Sequence, residues 1–199
     1  MKSKLSVRLL AFLLMTISAV PLAQAEEAAG MAENNNGFTA TSASFKNGES
    51  IGNSSVFKGF GCEGGNLSPQ LSWKNSPAGT KSYAITMYDP DAPTGSGWWH
   101  WGVYNIPANV SALSEGASKT AKNTLPLTAS EIFTDFGSTG YGGPCPPVGD
   151  NPHHYILTVY ALKTDKLDLN PQTTTGALLA FMLRDNTLAK ATITGRYGR

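Results

Sequence analysis

"KSYAITMYDPDAPTGSGWWHWGVYNIP", residues 81–107, reads as strand, turn and strand. The first part, "KSYAITMYDP", is rich in β-formers and is stopped by Pro90, which has no N–H to give to a sheet ladder. The last part, "HWGVYNIP" from His100, is a second run of the same kind, stopped by Pro107. Between them a Gly/Ser hinge turns the chain back. Residues two apart in a strand share a face, so an extended Asp89-Pro90-Asp91 would point both carboxylates one way. Pro90 and Pro93 fix φ and make the segment a stiff wall. Asp89 ends one strand and His100 begins its neighbour, which predicts that they meet at one rim. By the same alternation Trp99 and Trp101 face away from His100, and with Trp98 they read as packing.

The same grammar extends outward. "HHYILTVYALK", residues 153–163, is the strongest strand in the chain. "FTATSASF" (38–45) alternates as a half-buried strand does, "GCEGGNLSPQLSW" (61–73) is turn chemistry leading into a short strand, and "ATITGRY" (191–197) reads as a last strand. Only "TTTGALLAFMLRDNTLAKA" (173–191) has helical spacing, with Leu178, Leu179, Met182, Leu183 and Leu188 at three- and four-residue steps. Thr173, Thr174 or Thr175 can cap its start. One helix among many strands predicts a mostly β fold, a sandwich of sheets with a helix packed at its edge.

The first residues have a different character. Lys2, Lys4 and Arg8 precede an apolar run over 9–14 and 17–20, and "AQA" at 23–25 supplies small residues for cleavage. This predicts a signal peptide over residues 1–25, a polar leader over 26–37 and one domain over 38–199. The run is too short to span a bilayer and is broken by Thr16, Ser18 and Pro21. The expected location is periplasmic or secreted, with no transmembrane segment in the mature chain. With 15 basic and 14 acidic residues there is no electrostatic footprint for nucleic acid. Two cysteines, Cys62 and Cys145, in an exported chain predict one disulfide, the alternative being two separate buried thiols.

A second cluster resembles the first in type. "YGGPCPPVGDNPHHY", residues 141–155, is a Gly/Pro loop feeding the strong strand. His153 and Tyr155 share a face and His154 takes the other. Two of the three histidines thus follow Gly/Pro loops and open strands, a poor use of residues for core packing alone. Two His and one or two Asp could hold zinc with an open position, but the spacing fits no standard zinc motif, so neither metal nor cofactor is expected. "SVFK" at 55–58 matches the Ser-x-x-Lys pattern of serine acylases without its companion elements. Neither a Gly-x-Ser-x-Gly elbow nor a Walker phosphate loop is present.

Taken in order, "DPDAP", "WWHW", "GGPCPP" and "HHY" resemble the phosphatidylethanolamine-binding protein family, also called Raf kinase inhibitor-like proteins, and most of all its bacterial exported branch. The similarity runs from about Phe38 to the end of the chain. The resemblance implies a Greek-key β-sandwich with a small anion pocket at one end. Carried over position by position, the pocket residues are Asp89, Asp91, His100, Gly143, Pro144, His153 and Tyr155. The ligand would be a small anion or a phosphorylated head group. Some family members inhibit kinases or proteases by binding them, so a role as modulator or inhibitor of a partner protein of unknown identity is also implied. The terminal helix that often lies beside the pocket in eukaryotic members has no counterpart in "ATITGRYGR", which implies a more open pocket. In this frame a Cys62–Cys145 bridge would tie the pocket wall to the "GFGCEGG" loop. The aspartates would hold the imidazoles, Tyr155 and the N–H groups of 141–143 would donate, and both imidazoles would charge at mildly acidic pH to tighten binding. The expected function is non-catalytic binding; the rival is a hydrolase using Asp89 or Asp91 as general base with His153, for which no nucleophile is apparent.

Overall fold

A computed structural model describes residues 37–199; the expected signal peptide and all but the last residue of the leader lie outside the described residues. The strands are β1 (Thr39–Thr41), β2 (Lys58–Gly59), β3 (Cys62–Glu63), β4 (Leu71–Lys74), β5 (Ser82–Asp89), β6 (Trp98–Pro107), β7 (Ala112–Leu113), β8 (Ser130–Glu131), β9 (His153–Leu162) and β10 (Thr187–Tyr197). One helix, α1, covers Gly176–Arg184. A five-stranded antiparallel sheet runs β10-β9-β5-β6-β8, and a three-stranded one runs β1-β4-β7. The long connection from β8 to β9 brings the chain back beside β5, the Greek-key crossover.

The two sheets share one core. Tyr83, Ile85 and Met87 of β5, and Leu157, Val159 and Ala161 of β9, alternate inward against Leu71 and Trp73 of β4 and Leu113 of β7. The opposite face of the large sheet is covered by α1, where Leu179 and Leu183 pack with Ala84, Tyr104, Ile132 and Leu162. Because β5 is covered on both faces, it carries an almost unbroken buried run rather than a clean alternation.

The helical reading of 173–191 is corrected at its second half. Thr175 caps the start, its side chain accepting from the N–H of Leu178. The helix ends at Arg184: the Asn186 amide donates to the carbonyl of Met182, and the Thr187 hydroxyl to that of Leu183. These side chains satisfy carbonyls that a continuing helix would have used. From Thr187 the chain pairs with β9, burying Ala189, Ala191 and Ile193 on alternate positions. Leu188, at helical spacing in the sequence, is therefore a strand residue. The reading of 38–45 as one strand also shortens, to Thr39–Thr41.

Candidate functional site

β5 and β9 are neighbours, as are β5 and β6, so Asp89, the β6 start and the β9 start arrive at one end of the large sheet. A cavity of about 210 Å³ opens there, smaller than a typical drug-sized pocket. Asp89, His100, His153 and Tyr155 form its polar wall. Pro93, Trp98, Phe60, Phe136, Pro146 and Pro147 supply apolar surface around it, with Cys145 between them.

Each polar side chain has an identifiable cause. Strict alternation would put Trp99 and Trp101 on one face, but the β5–β6 ladder pairs Met87 with Trp101 and Tyr88 with Trp99, leaving His100 as the extra residue of a bulge. Trp101 then enters the sandwich core, while Trp99 packs tilted against Tyr88, ring centroids 4.6 Å apart, and against Gly176 at the start of α1. The bulge aims the His100 ring into the cavity, edge-on to Tyr155 at 5.1 Å and to Phe136 at 5.3 Å. The expectation that Trp99 and Trp101 share a face is thus corrected.

Asp89 and Asp91 do not share a face either. Asp89 Oδ1 accepts the N–H groups of Asp91 and Ala92 at 2.8 and 3.1 Å, a local turn that bends the chain out of the strand. Asp89 Oδ2 faces the cavity, accepting from His153 Nδ1 at 2.8 Å and lying 3.9 Å from His100 Nε2. Asp91, rotated away, accepts from both the backbone N–H and the Nδ1 of His154, each at 2.7 Å, in a separate open cleft. His154, given no role by the sequence, therefore pins the "DPDAP" turn to β9. Burial, the largest single influence, pushes the Asp91 carboxyl up, but the two hydrogen bonds and the charge of His154, with the charge of His153, together hold it below its usual range.

Gly143 and Pro144 lie behind the cavity wall rather than on it. The Gly143 N–H goes to Asn66 Oδ1 at 2.9 Å, the Gly142 N–H to the carbonyl of His100 at 2.9 Å and the Tyr141 N–H to Ser118 Oγ at 2.9 Å. The expected donor nest of residues 141–143 is thus already spent inside the protein. The carbonyl of Pro144 accepts from Phe57 N–H at 3.0 Å. Glycine is required at 143 because a Cβ would run into the backbone of Ser55.

The two cavity histidines differ in protonation. Burial disfavours the imidazolium of His100 and pushes it down to about 4, against partial support from the carbonyl of Gly142 and the charge of Asp89. For His153 burial works the same way, but the hydrogen bond and charge of Asp89, with Asp150 at 3.3 Å from Nε2, raise it above its ordinary value. The expectation that both rings charge together in mild acid is corrected accordingly. Tyr155 is fully buried and its hydroxyl meets no protein partner. Burial and the nearby Asp89 charge raise that phenol, so it stays protonated and able to donate.

Cys62 and Cys145 form a disulfide, with Cα atoms 6.0 Å apart, joining the β2–β3 hairpin to the cavity loop. Arg199 reinforces the same seam: its guanidinium donates to the carbonyls of Pro146, Gly61 and Phe60 at 2.7, 2.9 and 3.2 Å. Sequence reasoning missed Arg199, Asn66, Phe136 and Asp150. Of these only Asp150 had a local signal, an acid three residues before His153.

Comparison with known proteins agrees with this geometry. The UPF0098 protein YbcL of Escherichia coli K12 is 53% identical over 160 residues, covering 80% of this chain and 87% of the relative. The UPF0098 protein YbhB of the same organism is 43% identical over 152 residues, covering 76% and 94%. The crystal structure of E. coli YbcL, described there as a new member of the mammalian PEBP family, superposes with a TM-score of 0.79 at 52% identity, covering 81% of this chain and 98% of that one. The phosphatidylethanolamine-binding protein family model matches residues 41–198, and the chain belongs to that family.

Proposed function

We propose that this protein is an exported, non-catalytic binding protein whose cavity takes a small oxyanion, either free or as a phosphorylated head group, and whose rim serves as the contact for a partner protein. The observation that carries the reading is the Tyr155 hydroxyl: fully buried and without a protein partner, on a side chain that lines the cavity together with His100 and His153. A buried donor left unsatisfied costs free energy, and a ligand oxygen would recover it. The Cys62–Cys145 disulfide supports export to an oxidising compartment, in keeping with the signal peptide expected over residues 1–25.

Asp89 and His153 are arranged like a base and its holder, which is what a hydrolase would need. Two features favour binding instead. Both ring nitrogens of His153 face carboxylates, Asp89 and Asp150, so the charged ring has no lone pair with which to take a proton. Cys145, the thiol nearest the cavity, is oxidised.

Tyr155→Phe separates a ligand role from a structural one. Removing an unpartnered hydroxyl should leave stability unchanged or raise it by up to about 1 kcal/mol, while phosphate affinity falls by roughly tenfold. Thermal unfolding with and without phosphate reads both quantities. Equal phosphate stabilisation in wild type and variant would remove the reading's main support. Turnover of phosphate esters that disappears in His153→Ala would replace it with the hydrolase.

A further inference from the structure

The hydrogen bond behind the cavity wall bears on which oxyanion can sit in front of it. A backbone carbonyl only accepts, so the 2.7 Å contact between His100 Nδ1 and the carbonyl of Gly142 puts a proton on Nδ1. A neutral imidazole carries one proton, so Nε2 then presents a lone pair to the cavity. Among the described residues the ring's one side-chain hydrogen bond is that of Nδ1, and Asp89 Oδ2, 3.9 Å from Nε2 across the cavity, is itself an acceptor. The other groups packed round the ring are His153 and Tyr155 from β9, Asp135 and Phe136 after β8, and the 142–143 backbone. The positive charge of His153 is held between Asp89 and Asp150, so that trio sums to one negative charge. Burial opposes a second imidazolium, in line with the depressed value of His100.

We infer that the cavity selects oxyanions that bring a proton, such as hydrogen phosphate or the protonated form of a phosphate monoester, over those that have none to give, such as sulfate or a phosphodiester. The ligand's P–O–H would donate to His100 Nε2 while a second oxygen accepts from the Tyr155 hydroxyl. In the complex the proton can reside on the ligand oxygen or shift to Nε2; in either case it enters with the ligand and nothing else is transferred. A fully ionised oxyanion would set an oxygen lone pair against the Nε2 lone pair, or would have to draw a proton from solvent. A site built to pair one polar group strongly rejects the isostere that lacks it. The inference rests on the oxyanion reading above and narrows its ligand class: a head group joined to its lipid by a phosphodiester has no such proton, whereas a phosphate monoester does.

The test is calorimetric titration of the oxidised protein at pH 7 with inorganic phosphate, sulfate and dimethyl phosphate. Sulfate matches phosphate in shape, and dimethyl phosphate supplies a single negative charge without a proton, so charge alone cannot produce the pattern. Phosphate should bind at least about tenfold more tightly than either. Substituting His100→Gln replaces the lone pair with an amide that can donate, and should narrow the phosphate-to-sulfate ratio. Should that variant not fold, wild-type titrations in two buffers of different ionisation heat should still show less proton uptake from buffer for phosphate than for sulfate. Phosphate binding matched by sulfate or dimethyl phosphate overturns this inference and leaves the oxyanion reading standing. Absence of phosphate binding overturns both.

Discussion

At the scale of single residues, His100 and His153 line the same cavity but hold protons oppositely, and the cause is what each ring nitrogen faces. His100 meets one carbonyl and a distant carboxylate, His153 two carboxylates. In long-range nitrogen–proton NMR spectra at pH 7, His100 should carry its proton on Nδ1 alone, and over a pH series His153 should lose its second proton at higher pH than His100 does; a His100 ring that titrates above His153 would contradict this assignment. The stability consequences have opposite signs. His100 is held at about 4 against an ordinary 6.5, so the folded state binds fewer protons than the unfolded one between those values. Its contribution, on the order of 3 kcal/mol, is present above pH 6.5 and lost as pH falls towards 4. His153 is raised, so its contribution is present below pH 6.5 and lost as pH rises through its folded value. From this pair alone stability peaks near pH 6.5, and urea titrations from pH 4.5 to 8 should show a weaker acid loss in His100→Gln than in wild type. The spacing of Asp89, His100, His153 and Tyr155 was legible because strand ends and period-two alternation are local. The tautomer of His100 was not, because the carbonyl that sets it lies 42 residues away.

At the scale of elements, departures from regular pattern decide where the site's side chains go. The β5–β6 bulge frees His100 from the alternation of its neighbours, and the turn capped by Asp89 swings Asp91 onto His154. Neither follows from strand periodicity, which assumes an unbroken register. The helix boundary failed for a related reason: Leu188 satisfies both a helical and a strand pattern, and pairing with β9 decided between them. The Gly/Pro loop over 141–147 positions rather than donates. Gly143→Ala would press a methyl group into the backbone of Ser55 and Phe57, which cannot rotate away. We expect a loss of about 1–3 kcal/mol, read from the urea midpoint, as for other overpacked sites. An unchanged midpoint would mean that the 55–57 and 143 segments are not in contact.

At the scale of the whole molecule, the Cys62–Cys145 bridge closes a loop of sequence separation 83 and so acts mainly on the unfolded chain. The chain-entropy estimate for such a loop is roughly 4.5 kcal/mol, an upper figure. Cys62→Ser combined with Cys145→Ser should therefore lower the unfolding free energy by up to that amount, measured in urea under oxidising conditions. With Arg199 still joining the same two loops, phosphate binding should survive at temperatures where the variant is folded. The β architecture, the family and the strand ends that carry the polar side chains were readable from the residues alone, because these depend on local periodicity, turn chemistry and motif order; the two cysteines favoured a bridge, and the fold brings them together. Which of those side chains share a cavity, which histidine holds its proton more tightly and which backbone N–H groups are already used became visible once the chain was folded. Those outcomes depend on burial and on partners distant in the chain, and the free energy of a buried charge or hydrogen bond is set by what surrounds it in space.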